Sequence, residues 1–284
     1  MVFREQVVND IYVFTSEMYL QVTAGAIFSP EGTVIIDTLP FPQESRAMRD
    51  FISERSSEDV LYVINTHYHA DHVYGNYLYS EADIISWKGT RLYLERHGEE
   101  SLRQAKEETP ELAEVELRLP NVLFDRGRMF VHLGDRTLEL IHAPGPTPDS
   151  IVVHIREDQL LFAGDIMMPV PYIVWGDWQD MIDTLGWLKE MKLDHLVQGH
   201  GEVLLRGEIP SIIEERIAYL HEIHDRVAAH VADGGEREQL KSWGIEDFGL
   251  SRLSLGGLAP QLHQANLLAL YAQLSRESGD ATGI

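Results

Sequence analysis

Residues 60–72 read VLYVINTHYHADH: an apolar, β-branched run that ends in His67, His69, Asp71 and His72. The run has the composition of a buried strand. Four potential metal ligands then fall within six residues. In an extended segment His67 and His69 alternate, so both imidazoles point to one side. Asp71 and His72 are neighbours and diverge, so one segment serves two adjacent metal positions. A lone histidine is usually a packed structural residue, but a cluster this dense is a ligand set. Nitrogen and oxygen donors of this kind suit zinc, with manganese or iron as alternatives.

Working outward, QVVNDIYVFT (6–15), YLQVTAGAIFS (19–29) and TVIIDT (33–38) read as strands, with a turn at Pro30-Glu31-Gly32. Residues 41–56 read as helix. Strands resume at MFVHLG, TLELIHA, SIVVHI and QLLFAGD, and HLVQGHG reads as strand followed by loop. VIIDT ends on Asp37 and the next strand ends on His67. LLFAGD ends on Asp165 and the next strand ends on His200. Two halves that each deliver an acid and a histidine at strand ends predict a pseudo-symmetric pair of sheets with the site along one edge.

With IDT at 36–38, PGPTPDS at 144–150, FAGD at 162–165 and GHG at 199–201 in the same order, the chain resembles the metallo-β-lactamase superfamily over roughly residues 8–205. The resemblance implies an α/β fold, an αββα sandwich of two mixed β-sheets flanked by helices. It assigns His67 and His69 to a first metal site, Asp71, His72 and His200 to a second, and Asp165 to both. Asp37 matches an acid that orients the histidine loop. The family reads Gly-His-Thr where this chain has Gly145-Pro146-Thr147, so the third ligand of the first site is missing. His142 and Asp149 lie near enough in sequence to be considered as substitutes, and His142 is read as structural. The cofactor expected is one or two divalent ions, zinc first.

The implied chemistry is hydrolysis of a small ester, lactone, thioester or amide by metal-activated water, with Asp71 and Asp165 as catalytic carboxylates. The alternatives are a mononuclear iron oxygenase of the same fold and a catalytically degenerate ligand-binding member. Iron oxygenases of the family normally use the histidine that Pro146 replaces. The aromatic stretch after Asp165, with Tyr172, Trp175 and Trp178, is a candidate pocket wall, and Tyr68 inside the cluster is another. The charged stretch 89–118 reads as one or two exposed helices, taken first as a solvated insertion and second as a partial cover over the site.

A formal charge of −23, from 23 basic and 46 acidic residues, argues against nucleic acid and anionic membrane as partners and leaves a small-molecule substrate. There is no cysteine, so thiolate ligands, disulfides and a Cys nucleophile are excluded. No signal-peptide pattern or apolar run of membrane-spanning length is visible, which makes the cytoplasm the expected location. Two domains of organisation are expected: a catalytic unit over 1–208 and a helical extension over 209–284 packed on it. Gln179–Met191 reads as a helix, and a last helix runs from near Pro260 to about Ser275. From Pro210, the stripe Ile213, Ile217, Leu220, Ile223, Val227 and Val231 has helical spacing. It serves core packing or a homodimer face.

Overall fold

In the computed structural model, which describes residues 2–281, the strands form two stacked sheets whose central strands are apolar on both faces. The first sheet runs β1 (Val2–Val8), β2 (Ile11–Ser16), β3 (Thr23–Ser29), β4 (Gly32–Ile36), β5 (Val60–Ile64), β6 (Asp83–Trp87), β7 (Val122–Phe124), in that spatial order. Its first three pairings are antiparallel and its last three parallel. The second runs β8 (Arg128–Leu133), β9 (Arg136–His142), β10 (Ile151–Ile155), β11 (Leu160–Phe162), β12 (His195–Val197), β13 (Val203–Leu205). Here only β11–β12 is parallel. Both sheets are therefore mixed, as expected.

Val34 and Ile36 of β4 face the inter-sheet core with Ile64, Val153 and Phe162. Ile35 and Val63 face the other way, onto helix α1 (Pro42–Arg55) through Met48 and Ile52. On the second sheet, Ile151 and Val153 point inward while Val152 packs outward. That outer face carries α5 (Trp178–Lys189), α6 (Ile209–Ala232) and the last helix, Ala259–Ala281. The result is an αββα stack. Ile213, Leu220, Ile223 and Val227 of the α6 stripe are buried in the outer core, with Ile217 and Val231 packed against it. The stripe is core packing. No helix of the described residues is long and apolar enough to cross a membrane.

Three local readings need correction. The segment read as one strand over 6–15 is a hairpin, because Asn9-Asp10 forms a tight turn with Asp10 at φ 59°; Asp is among the few non-glycine residues that tolerate that region. The strands β6, β7 and β13 were not read from the sequence. Finally, residues 88–108 form a near-continuous helix through α3 (Lys88–Tyr93) and α4 (Glu99–Glu108), and this helix is not a solvated insertion. Its Leu94 and Leu102 are buried with Leu112 and Val115 against Tyr68, Val73 and Tyr74 of the histidine segment. Each charged turn carries one inward residue, which the dense charge concealed.

Candidate metal centre

Two parallel strand pairs set the positions of the acids and histidines. β4 lies beside β5, so Asp37 at the end of one meets Thr66 at the end of the other. β11 lies beside β12, which brings Asp165 and His200 to the same edge. Asp37 takes a left-handed conformation, φ 55°, a costly choice for a non-glycine residue that its contacts sustain. It accepts hydrogen bonds from the Thr66 backbone N–H (2.8 Å) and hydroxyl (2.7 Å), and its Oδ2 lies 2.8 Å from His72 Nδ1. With the Thr66 proton committed to Asp37, its oxygen accepts from His67 Nδ1 at 3.0 Å. His200 Nδ1 donates to the Leu20 carbonyl at 2.9 Å. In His67, His72 and His200 Nδ1 therefore carries a proton, and Nε2 is the nitrogen that faces inward.

Those nitrogens converge on Asp165. Its Oδ2 lies 3.2 Å from His67 Nε2 and 3.6 Å from His69 Nδ1. Its Oδ1 lies 3.2 Å from His72 Nε2 and 3.4 Å from His200 Nε2. Asp71 Oδ2 completes the second group, 3.2 Å from His200 Nε2 and 3.7 Å from His72 Nε2. Gly199 permits the approach, because a Cβ there would collide with Asp165 Oδ1. Among the described residues, His67 Nε2, His72 Nε2 and Asp165 Oδ1 are buried with no hydrogen-bond partner. Burying such atoms unpaired is costly, and a divalent cation at their centre is the group that fits them. His67–His72–Asp165 and Asp71–His72–His200 each bring three donor atoms within 4.8 Å of one another.

The electrostatics agree. Burial by itself opposes ionisation of every member. Against it, the neighbouring imidazoles hold Asp165 well below the usual carboxylate range, and His72 and His200 do the same for Asp71. Asp165, Asp37 and Asp71 hold the His72 imidazole above its ordinary value, and Asp165 and Asp71 push His200 up to about 9. For His67 burial wins and lowers the value. Buried anions that attract protons onto their imidazoles attract a dication more strongly.

All six residues assigned to the metals, and Asp37 behind them, are thus brought together. The place of the missing ligand is filled differently. Pro146 is buried, and the Gly176 backbone lies so close to it that a Cβ on Gly176 would collide with the Gly145 carbonyl. His142 stacks on Trp87 (centroids 4.0 Å apart) and bonds the Pro148 carbonyl at 2.8 Å, as a structural histidine does. Asp149 Oδ2 accepts from the Thr90 hydroxyl at 2.8 Å. Among the described residues, the first half-site has His67, His69 and Asp165 Oδ2.

A cavity of about 270 Å³ opens over Asp71, Asp165 and His200, walled by Tyr19, Met168, Tyr172, Trp175 and Leu262. Tyr172 and Trp175 stand where the aromatic stretch predicted. Trp178 does not: it begins α5 and stacks on His224 of α6 at 3.9 Å. Tyr68 lines a neighbouring cavity. Tyr19 and Leu262 were missed, because nothing in their local sequence signals the cavity; they arrive from opposite ends of the chain. The wall segment is held by the C-terminal helices. Arg216 Nε donates to the Met168 carbonyl (3.0 Å), and the buried Asn266 donates to the Pro171 carbonyl (2.6 Å) and accepts from the Ile173 N–H (3.0 Å).

A family model described as the metallo-beta-lactamase superfamily matches residues 19–207. The "Beta-lactamase-like protein 2 homolog" of Caenorhabditis elegans is 27% identical over 179 residues, 62% of this chain and 55% of the relative. The human "Acyl-coenzyme A thioesterase MBLAC2" is 28% identical over 98 residues, 34% of each chain. The matches thus span a third to about half of these relatives' length. Among solved structures, the sec-alkylsulfatase Pisa1 from Pseudomonas sp. superposes with a TM-score of 0.74 at 15% identity, over 96% of this chain and 50% of that one, a likeness of fold.

Proposed function

The chain belongs to the metallo-β-lactamase superfamily, and from that premise we propose that it is a metal-dependent hydrolase of a small ester, lactone, thioester or amide. The observation that carries this is the division of Asp165, with one oxygen toward His67 and His69 and the other toward His72 and His200. His67, His69 and Asp165 would hold a first divalent ion, and Asp71, His72, His200 and Asp165 a second. A bound ion supplies Lewis acidity and makes water a nucleophile near neutral pH.

The chain's own residues do the rest. Asp37 and Thr66 fix the imidazole tautomers. Asp71 and Asp165 stay ionised and orient the nucleophile's proton. Burial, with Asp165 adding to it, raises Tyr172, and burial with Asp71 and Asp165 raises Tyr19. Both phenols therefore keep their protons at neutral pH and serve as O–H donors toward a substrate oxygen in the cavity they line. The human relative's name, a thioesterase, supports acyl-group hydrolysis.

Ligand counting makes the two metal positions unequal. The second has four protein donors and the first has two imidazoles and a shared carboxylate, where catalytic zinc commonly takes about three protein ligands. Zinc titration of the chelator-stripped protein should show one tight and one weak equivalent, with ester, lactone and thioester turnover returning on metal addition. Full turnover by metal-free protein overturns the hydrolase reading. Two equally tight equivalents overturn the inequality, and Pro146→His tests it from the other side by tightening the weak equivalent.

A further inference from the structure

A second cavity, about 180 Å³, adjoins the metal cavity and shares His69, Ala70 and Trp175 with it. Its remaining wall is Tyr68, Tyr74, Tyr93, Leu94, Gly98 and Ser101. Tyr68 and Tyr93 stack with centroids 3.6 Å apart and planes 16° from parallel. A substrate whose reacting group lies over Asp165 therefore has an aromatic compartment next to it, open to whatever that group carries. An engineered cavity of about 150 Å³ admits benzene, so this one accommodates a phenyl ring or a short branched alkyl group.

Charge decides the rest of the occupant's chemistry. Among the described residues, neither cavity wall contains lysine or arginine. On the helix above, the guanidinium of Arg91 is engaged by Glu95 and the Pro120 carbonyl, and that of Arg103 by Glu100 and Glu107. Arg96 is exposed and flanked in sequence by Glu95, Glu99 and Glu100. Arg216, behind the wall, is turned to the Met168 carbonyl. An anionic tail placed here would lose hydration with no cation to replace it, inside a chain of charge −23.

We propose that this compartment binds the uncharged aryl or short alkyl part of the substrate, so that the protein acts on neutral esters and lactones and discriminates against substrates with anionic tails. This rests on the hydrolase reading of the metal centre. It sets the chain apart from the relative named for acyl-coenzyme A, a substrate that carries phosphate. Selectivity comes from the helix at 88–108, which brings Tyr93, Leu94 and Ser101 to the compartment.

The test uses the zinc-loaded protein and two readouts. In calorimetry, phenylacetamide should bind at least about tenfold more tightly than its para-carboxylate, a difference in the usual range for pocket discrimination. Ser101→Trp, which fills the compartment from its exposed rim, should abolish phenylacetamide binding at unchanged zinc content. Ser101→Lys should restore binding of the para-carboxylate. In turnover, kcat/KM for methyl phenylacetate should exceed that for its para-carboxylate by a similar factor, and Ser101→Trp should lower the first toward methyl acetate. Equal binding of the two probes, tighter binding of a para-trimethylammonium analogue, or phenylacetamide binding unaffected by Ser101→Trp each overturn the proposal. If phenylacetamide binds and Ser101→Trp abolishes it while no ester, lactone or thioester turns over, the compartment stands and the hydrolase reading falls.

Discussion

The histidine segment 66–72 and the aromatic wall 166–177 face each other across one cavity, yet they are held in place by different means. The first is fixed by a neighbour in the same sheet: Asp37, one strand away, holds Thr66 and His72. The second is fixed from the far end of the chain, by Arg216 and Asn266 on the C-terminal helices. A metal-binding segment needs its ligands oriented to a fraction of an ångström, and short-range hydrogen bonds from an adjacent strand supply that. A cavity wall is set by overall packing, and here its support comes from elements distant in sequence.

The largest effect should come from breaking the local side. Asp37→Ala removes the acceptor for Thr66 and the orienting carboxylate for His72. Zinc affinity should fall about 10- to 100-fold, and thermal unfolding should show a loss on the order of 3 kcal/mol from the stranded buried groups. Unchanged zinc affinity would mean that the loop is held by something other than Asp37.

Acid should break the distal side. His263 on the last helix bonds the Tyr219 hydroxyl at 3.0 Å, and Tyr219 in turn accepts from Asn266 at 3.2 Å. Burial pushes the His263 imidazole down to about 4 from the ordinary 6.5. The unfolded chain thus takes up a proton that the folded one refuses. Stability is whole above about pH 6.5 and falls by up to about 3 kcal/mol as pH drops toward 4. Denaturant melts across that window should show a shallower decline in His263→Gln than in the wild type. Identical slopes would remove His263 from the account.

A smaller change separates wall from metal. Asn266→Ala leaves the Pro171 carbonyl and Ile173 N–H unpaired and should cost about 2 kcal/mol of stability. It should raise KM severalfold and leave zinc stoichiometry alone, with kcat less affected than KM. Loss of zinc in this variant would show that the two regions are not separable. Least of all should follow from His142→Ala, which unstacks Trp87 and costs about 1 kcal/mol with no change in metal content. If it empties a site, His142 is a ligand after all.

The ligand cluster, the strands that carry it and the buried α6 stripe were legible in the sequence, because each depends on side chains close together along the chain. His67, His69, Asp71 and His72 are consecutive or nearly so. Asp165 and His200 each follow a short apolar strand. Pro146 also announced in the sequence that no imidazole stands there. What covers the site was decided by tertiary structure alone. Tyr19, Tyr93 and Leu262 reach the two cavities from three separate segments, and no local pattern distinguishes them from ordinary packing residues. Trp178 lies three residues beyond Trp175 and looks equivalent in sequence, yet the helix that starts there turns it onto His224. A ligand set is a short-range property of composition and period; a cavity wall depends on which distant elements pack side by side, and only the folded chain fixes that.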